Sequence, residues 1–107
     1  PPTTSLVKFV KSDTTELMRI NGNATNLFMG FLAGGGTFTG TNNVGLGRLA
    51  LSLVAGGNNN TAVGTNALTA VVNGSNNTAV GFNAGAAITG GQEPPTCFGF
   101  SYASVSY

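Results

Sequence analysis

Apolar and polar positions in residues 26–93 recur on a fixed beat of seventeen. Each of four consecutive units places Asn first (Asn26, Asn43, Asn60, Asn77), Gly fifth (Gly30, Gly47, Gly64, Gly81), Ala eighth (Ala33, Ala50, Ala67, Ala84) and Gly fifteenth (Gly40, Gly57, Gly74, Gly91). The fourth offset is always apolar and of medium size, and the twelfth is always β-branched. Such a period marks a stack of supersecondary units, none of which buries its apolar face alone. A short strand at offsets two to four and another at eight to thirteen, each ended by Gly or Asn-Gly turn chemistry, predict one coil of a parallel β-solenoid. The expected fold is therefore all-β, a β-roll of four coils with flanking terminal strands.

In that reading Met29, Leu46, Val63 and Val80, with Val54, Val71 and Ile88, are the candidate core, and Gly30, Gly47, Gly64 and Gly81 are the repeat corners. Coils stacked about 4.8 Å apart set identical offsets over one another, Gly on Gly and Asn on Asn, in a pile roughly 19 Å tall. A helical reading of residues 48–54 or 65–72 is weaker, because eight residues bounded by Gly are marginal as a helix in water.

The flanks read differently. Residues 1–25 carry Leu6, Val7, Phe9 and Val10, then Leu17, Met18 and Ile20, around the turn-prone Ser12-Asp13-Thr14. Two strands are expected there, either capping the chain's own solenoid or lent to the open edge of a neighbouring copy. In residues 94–107, Pro94-Pro95 interrupts the repeat, and Phe98, Phe100 and Tyr102 alternate with smaller residues as one face of a strand. The chain thus divides into an N-terminal strand segment (1–25), the repeat domain (26–93) and a C-terminal aromatic strand (94–107). Leu6, Val7, Phe9, Val10, Phe98, Phe100 and Tyr102 are the candidate assembly strands.

Composition narrows the chemistry. Charged residues make up 7% of the 107 positions and the net charge is +1, so binding to nucleic acid by charge is not expected. The chain has no His and one Cys, Cys97, which excludes His-based acid–base and triad chemistry and ordinary Cys/His zinc sites. Asp13, Glu16 and Glu93 are too scattered for a glycosidase pair. Gly45-Leu46-Gly47-Arg48-Leu49-Ala50 loosely matches a dinucleotide loop, but its Gly47 and Ala50 are repeat positions, and no helix or later acidic ribose partner follows. The apolar stretch from Leu27 to Gly36 is about half the length of a bilayer-spanning helix. The expectations are no enzyme, no cofactor and no membrane span.

Four acceptor sequons begin at Asn23, Asn59, Asn73 and Asn76, candidate glycosylation sites at turns. A chain so poor in charge stays soluble through Asn and Thr hydration or through covalent glycans. Its start, Pro1-Pro2-Thr3-Thr4, reads as that of a processed product or of part of a longer chain. Asn60-Thr61-Ala62-Val63-Gly64 and Asn77-Thr78-Ala79-Val80-Gly81 resemble the head repeats of trimeric autotransporter adhesins and of related phage tail fibres, over about residues 43–93. The resemblance implies a left-handed parallel β-roll with Val63 and Val80 inward, Gly64 and Gly81 at corners, and a structural or adhesive role without catalytic positions. The expected function is a structural subunit of a secreted extracellular fibre that polymerises with itself head to tail. The alternative is a homotrimer, an adhesin head or virion-surface fibre segment that binds cells.

Overall fold

The computed structural model describes residues 7–10, 16–22, 25–35, 38–89 and 96–98. It is an all-β parallel solenoid with a single sheet in the order β1-β2-β3-β4-β5-β6-β7. The repeats contribute β3 (Leu27–Met29), β4 (Val44–Leu46), β5 (Thr61–Val63) and β6 (Thr78–Val80), one three-residue strand per coil. They pair in parallel with identical offsets opposed, so that Leu27 faces Val44, Val44 faces Thr61 and Thr61 faces Thr78. The seventeen-residue beat is therefore the length of one lap around the coil.

At one end, β1 (Val7–Val10) and β2 (Glu16–Gly22) form an antiparallel hairpin, with a bulge between Phe9 and Val10. β2 lies antiparallel against β3. At the other end β7 (Thr96–Phe98) continues the parallel sheet beyond β6. Leu6, Asn23, Phe100 and Tyr102 lie outside the described residues.

The second strand expected at offsets eight to thirteen is replaced by a turn. Offset seven is left-handed in every coil (Leu32, Leu49, Asn66, Asn83), and so is offset nine (Gly34, Leu51, Leu68, Gly85). Two left-handed residues two apart break extended geometry yet keep the coil bonded on both sides. The offset-seven N–H donates to the coil before (Asn66 N to Arg48 O, 2.9 Å), and the offset-nine N–H donates to the coil after (Leu68 N to Ala84 O, 3.0 Å). The eighth-offset Ala N–H closes back on the corner Gly carbonyl, at 3.2 Å for Ala67 and Gly64. Leu51 and Leu68 hold φ of 52° and 50°; their complete burial offsets the cost of placing a non-Gly residue there.

The strand register corrects the expected core. Met29, Leu46, Val63 and Val80 are only half-buried and stand on the outer face of the sheet. The third offset points inward instead: Phe28, Gly45, Ala62 and Ala79 are all buried. The interior of a seventeen-residue lap is narrow, and on a strand only one of two adjacent positions faces it; the small residue takes that place. Val54, Val71 and Ile88 are buried as expected, with Ala33, Ala50, Ala67 and Ala84 and the leucines Leu51 and Leu68.

Volume is balanced both within a coil and between neighbouring coils. Phe28 is the one large third-offset residue in the repeats. Its ring fills the place where a side chain on Gly34 would stand and reaches within 3.0 Å of a Cβ built on Gly45. It also packs edge-on against Phe38, with centroids 4.8 Å apart. In coil four the space beside Gly85 is taken by Leu68 Cδ2 and Ile88 Cδ1.

Ala62→Val tests the inward register: we expect it to overpack the coil and destabilise by roughly 1–3 kcal/mol. The neighbouring Val63→Thr, on the outer face, is expected to cost under about 1 kcal/mol. Thermal unfolding of both variants checks the pair, and the opposite ranking would place Val63 in the core.

Candidate functional site

Two features of the coil stack stand out: a buried amide ladder that runs through the coils, and the outer face of the sheet. The ladder begins with the first offset. Asn26, Asn43, Asn60 and Asn77 are 5% exposed or less, and a buried amide must find partners for its carbonyl and its NH2 group. Neighbouring coils supply them. Asn43 N–H donates to Asn26 Oδ1 (2.7 Å), Asn60 N–H to Asn43 Oδ1 (2.9 Å) and Asn77 N–H to Asn60 Oδ1 (3.0 Å). The side-chain amides of Asn60 and Asn77 donate to the same oxygens, at 3.0 and 2.9 Å. Within the first three coils the Nδ2 group also donates across to the fifteenth-offset carbonyl: Asn26 to Gly40, Asn43 to Gly57 and Asn60 to Gly74, all 2.8 Å. The ladder thus ties coil to coil and, inside a coil, its start to its last corner.

The ladder ends on an open acceptor. Asn77 Oδ1 is buried and has no hydrogen-bond partner among the described residues. Thr78 pairs with Thr96, eighteen residues on, where the inner strands pair seventeen apart. The residue before Thr96 is Pro95, which has neither a backbone N–H nor a side-chain amide to offer.

The corner glycines line up as a column. A Cβ on Gly30 would lie 2.8 Å from Gly47 O, one on Gly47 2.8 Å from Gly64 O, and one on Gly64 2.5 Å from Gly81 O. Their φ values, 132°, 126°, 129° and 126°, belong to a region that only glycine enters without strain. A second column at the fifteenth offset is equally tight, since a side chain on Gly40 would meet Gly57 O.

Around the outside, polar side chains at the closing corner repeat the ladder in water. Asn58 Oδ1 accepts from Thr41 N–H (2.8 Å), Ser75 Oγ from Asn58 N–H (3.0 Å) and Asn76 Oδ1 from Asn59 Nδ2 (3.2 Å). Ser52 and Thr69 hydroxyls pair at 2.8 Å. Of the sequon asparagines, Asn59, Asn73 and Asn76 are exposed at these corners, and Asn73 Oδ1 also accepts Gly56 N–H at 3.1 Å. Arg48 stands 5.8 Å over the Phe31 ring.

The outer sheet face carries two columns, Leu27, Val44, Thr61 and Thr78 beside Met29, Leu46, Val63 and Val80. All eight are half-buried or exposed, and none is charged. Sequence reasoning missed this face because it assigned its larger members to the interior; the strict alternation of a strand could have signalled it. In the strand register Phe98 pairs with Val80.

Among the described residues no three His, Cys, Asp or Glu come together, and no helix is long and apolar enough to cross a membrane. No family model, curated protein or solved structure matches the chain.

Two substitutions probe the stacked columns. Gly64→Ala is expected to destabilise by about 2 kcal/mol or more, through positive φ and the clash with Gly81 O. Asn60→Ala leaves Gly74 O and the Asn77 amide without a partner in the interior, which should cost roughly 3 kcal/mol or more. Denaturant titration reads both; a near-neutral Asn60→Ala would show that the ladder contributes little.

Proposed function

We propose that this chain is a structural subunit of an extracellular fibre, assembling end to end with copies of itself. The carrying observation is that every strand of the sheet belongs to one continuous stack whose periodic hydrogen bonding stops at two ends. Each inner coil is bonded above and below through backbone, amide ladder and glycine column, so a single copy has a repeating interior and two faces where the repeat is cut. Such unlike ends meet as a heterologous contact, which propagates instead of closing. The side-chain inventory supports the same reading: amide, hydroxyl and small apolar groups at fixed spacing suit scaffolding, and their polar corners keep a nearly uncharged fibre hydrated. Exposed Asn59, Asn73 and Asn76 are the proposed sites of a glycan coat.

The outer sheet face favours a second reading. Six apolar side chains on one uncharged face, Leu27, Met29, Val44, Leu46, Val63 and Val80, could close three copies around a common axis, as the resemblance to adhesin heads implies, and make a trimeric surface-binding segment.

Negative-stain electron microscopy with light scattering separates the two. Filaments of indefinite length are expected; discrete trimers would replace the fibre by the closed form, and monomers at all concentrations would remove both. Intact-mass measurement of material purified from its source should exceed the mass of the bare polypeptide, and an exact match would exclude the glycan coat.

A further inference from the structure

Each asparagine of the repeats is followed by a backbone N–H, and hydrogen bonding decides whether that N–H is free to react with the side chain behind it. We propose that Asn73, in the step Asn73-Gly74, is a site of spontaneous deamidation and main-chain isomerisation in the folded chain, a modification that lengthens the third lap and loosens the stack.

The chemistry is a ring closure. The nitrogen of the following residue, its proton lost to a solvent base, attacks Cγ of the asparagine. The Cγ–Nδ2 bond breaks, and ammonia leaves with a proton from water. Water then opens the cyclic imide: attack at Cγ gives aspartate, and attack at the main-chain carbonyl gives isoaspartate, whose backbone runs through the former side chain. No oxidant or reductant takes part. The closure needs an exposed side chain, a following N–H without another partner, and a peptide able to rotate, which a following glycine permits best.

Elsewhere in the coils one of these conditions fails. Asn26, Asn43, Asn60 and Asn77 are buried. Asn42, Asn59 and Asn76 are exposed, but the N–H after each is the ladder donor of Asn43, Asn60 or Asn77, held at 2.7, 2.9 and 3.0 Å. The N–H groups after Asn58, Asn66 and Asn83 are bonded as well, to Thr41 O (2.9 Å), Gly64 O (3.2 Å) and Gly81 O (3.1 Å).

Asn73 differs. Its side chain is exposed, and Gly74 N–H donates to nothing among the described residues, although at the same corner Gly40 N–H donates to Ala55 O (3.0 Å) and Gly57 N–H to Val72 O (3.3 Å). The Asn73 carbonyl accepts no hydrogen bond among the described residues either, so the peptide between Asn73 and Gly74 turns without breaking one. Gly56 N–H meanwhile donates to Asn73 Oδ1 at 3.1 Å, on the oxygen that gains negative charge as the ring closes.

The product matters because this corner is tight. Gly74 O accepts from Asn60 Nδ2 at 2.8 Å and lies where a side chain on Gly57 would meet it. An extra backbone carbon between Val72 and Gly74 moves that carbonyl off its donor, whereas aspartate keeps the lap length and an oxygen for Gly56 N–H. Either acid takes the formal net charge from +1 to zero. A glycan on Asn73 Nδ2 would compete for the same atom.

The test is to age the full chain, made without glycans, in mildly alkaline buffer, both folded and in denaturant, and to follow each asparagine by peptide mapping. In the folded chain Asn73 is expected to convert at least about tenfold faster than any other asparagine of the repeats, and within about tenfold of its own rate in denaturant, because the others must first open a bonded or buried site. Slower conversion by either standard would overturn the site. The isoaspartate form, separated by ion exchange, should melt several degrees below the Asn73→Asp variant, which carries the same charge on an unlengthened backbone. Equal thermal midpoints would overturn the loosening of the stack.

Discussion

A polar side chain at the first position of every lap is what the rest of the structure depends on. An amide buried in a narrow apolar coil is costly unless both its ends are bonded. The partners that meet the need are the same residue one lap earlier or later and the carbonyl of Gly40, Gly57 or Gly74 on the far side of its own lap. Those distances hold at one lap length and one register only. A lap of sixteen or eighteen residues would strand the amide, so Asn43 and Asn60 act as a gauge that keeps like residues over like. Hydrophobic burial drives collapse but does not discriminate between registers so sharply, because Ala, Val and Leu pack tolerably against several neighbours.

Tight stacking imposes the second constraint. With like residues about one strand spacing apart, whatever stands at a given offset must fit against itself. Glycine fits at the corners, where the backbone turns through positive φ and the next coil's carbonyl lies against the Cα. Alanine fits at the eighth offset of every coil and at the third offset of the last two. Larger residues enter where a glycine of the same or the next coil yields space, as Phe28 does over Gly34 and Gly45, and Leu68 beside Gly85. The irregular first coil is thus not a degenerate repeat but one whose large ring is matched by two glycines.

Function grows from the same regularity. Identical laps have identical tops and bottoms, so a finite stack always ends in faces resembling its own interior interfaces, and something must cover them. Here short strands of different register do so: β2 runs antiparallel to its neighbour, and β7 follows a proline. The outer face of the sheet adds a lateral apolar surface, the feature on which a closed trimer would draw.

How much of this was legible in the chain can be judged residue by residue. The period, the parallel stacking of like offsets, the glycine corners and the burial of Val54, Val71 and Ile88 follow from spacing alone, because repetition at seventeen leaves little else for Gly and Asn to do. Three things came only from the folded coil. The left-handed residues at Leu49, Leu51, Asn66 and Leu68 turn an expected strand into a corner, since local propensity does not reveal which φ a leucine takes when neighbouring coils bond it from both sides. The inward face passed from Val63 and Val80 to Ala62 and Ala79, since hydrophobicity ranks the larger residue as core while the width of the lap admits the smaller. The orphaned oxygen of Asn77 shows only in the folded coil, since a hydrogen bond left unmade depends on where distant segments meet in space.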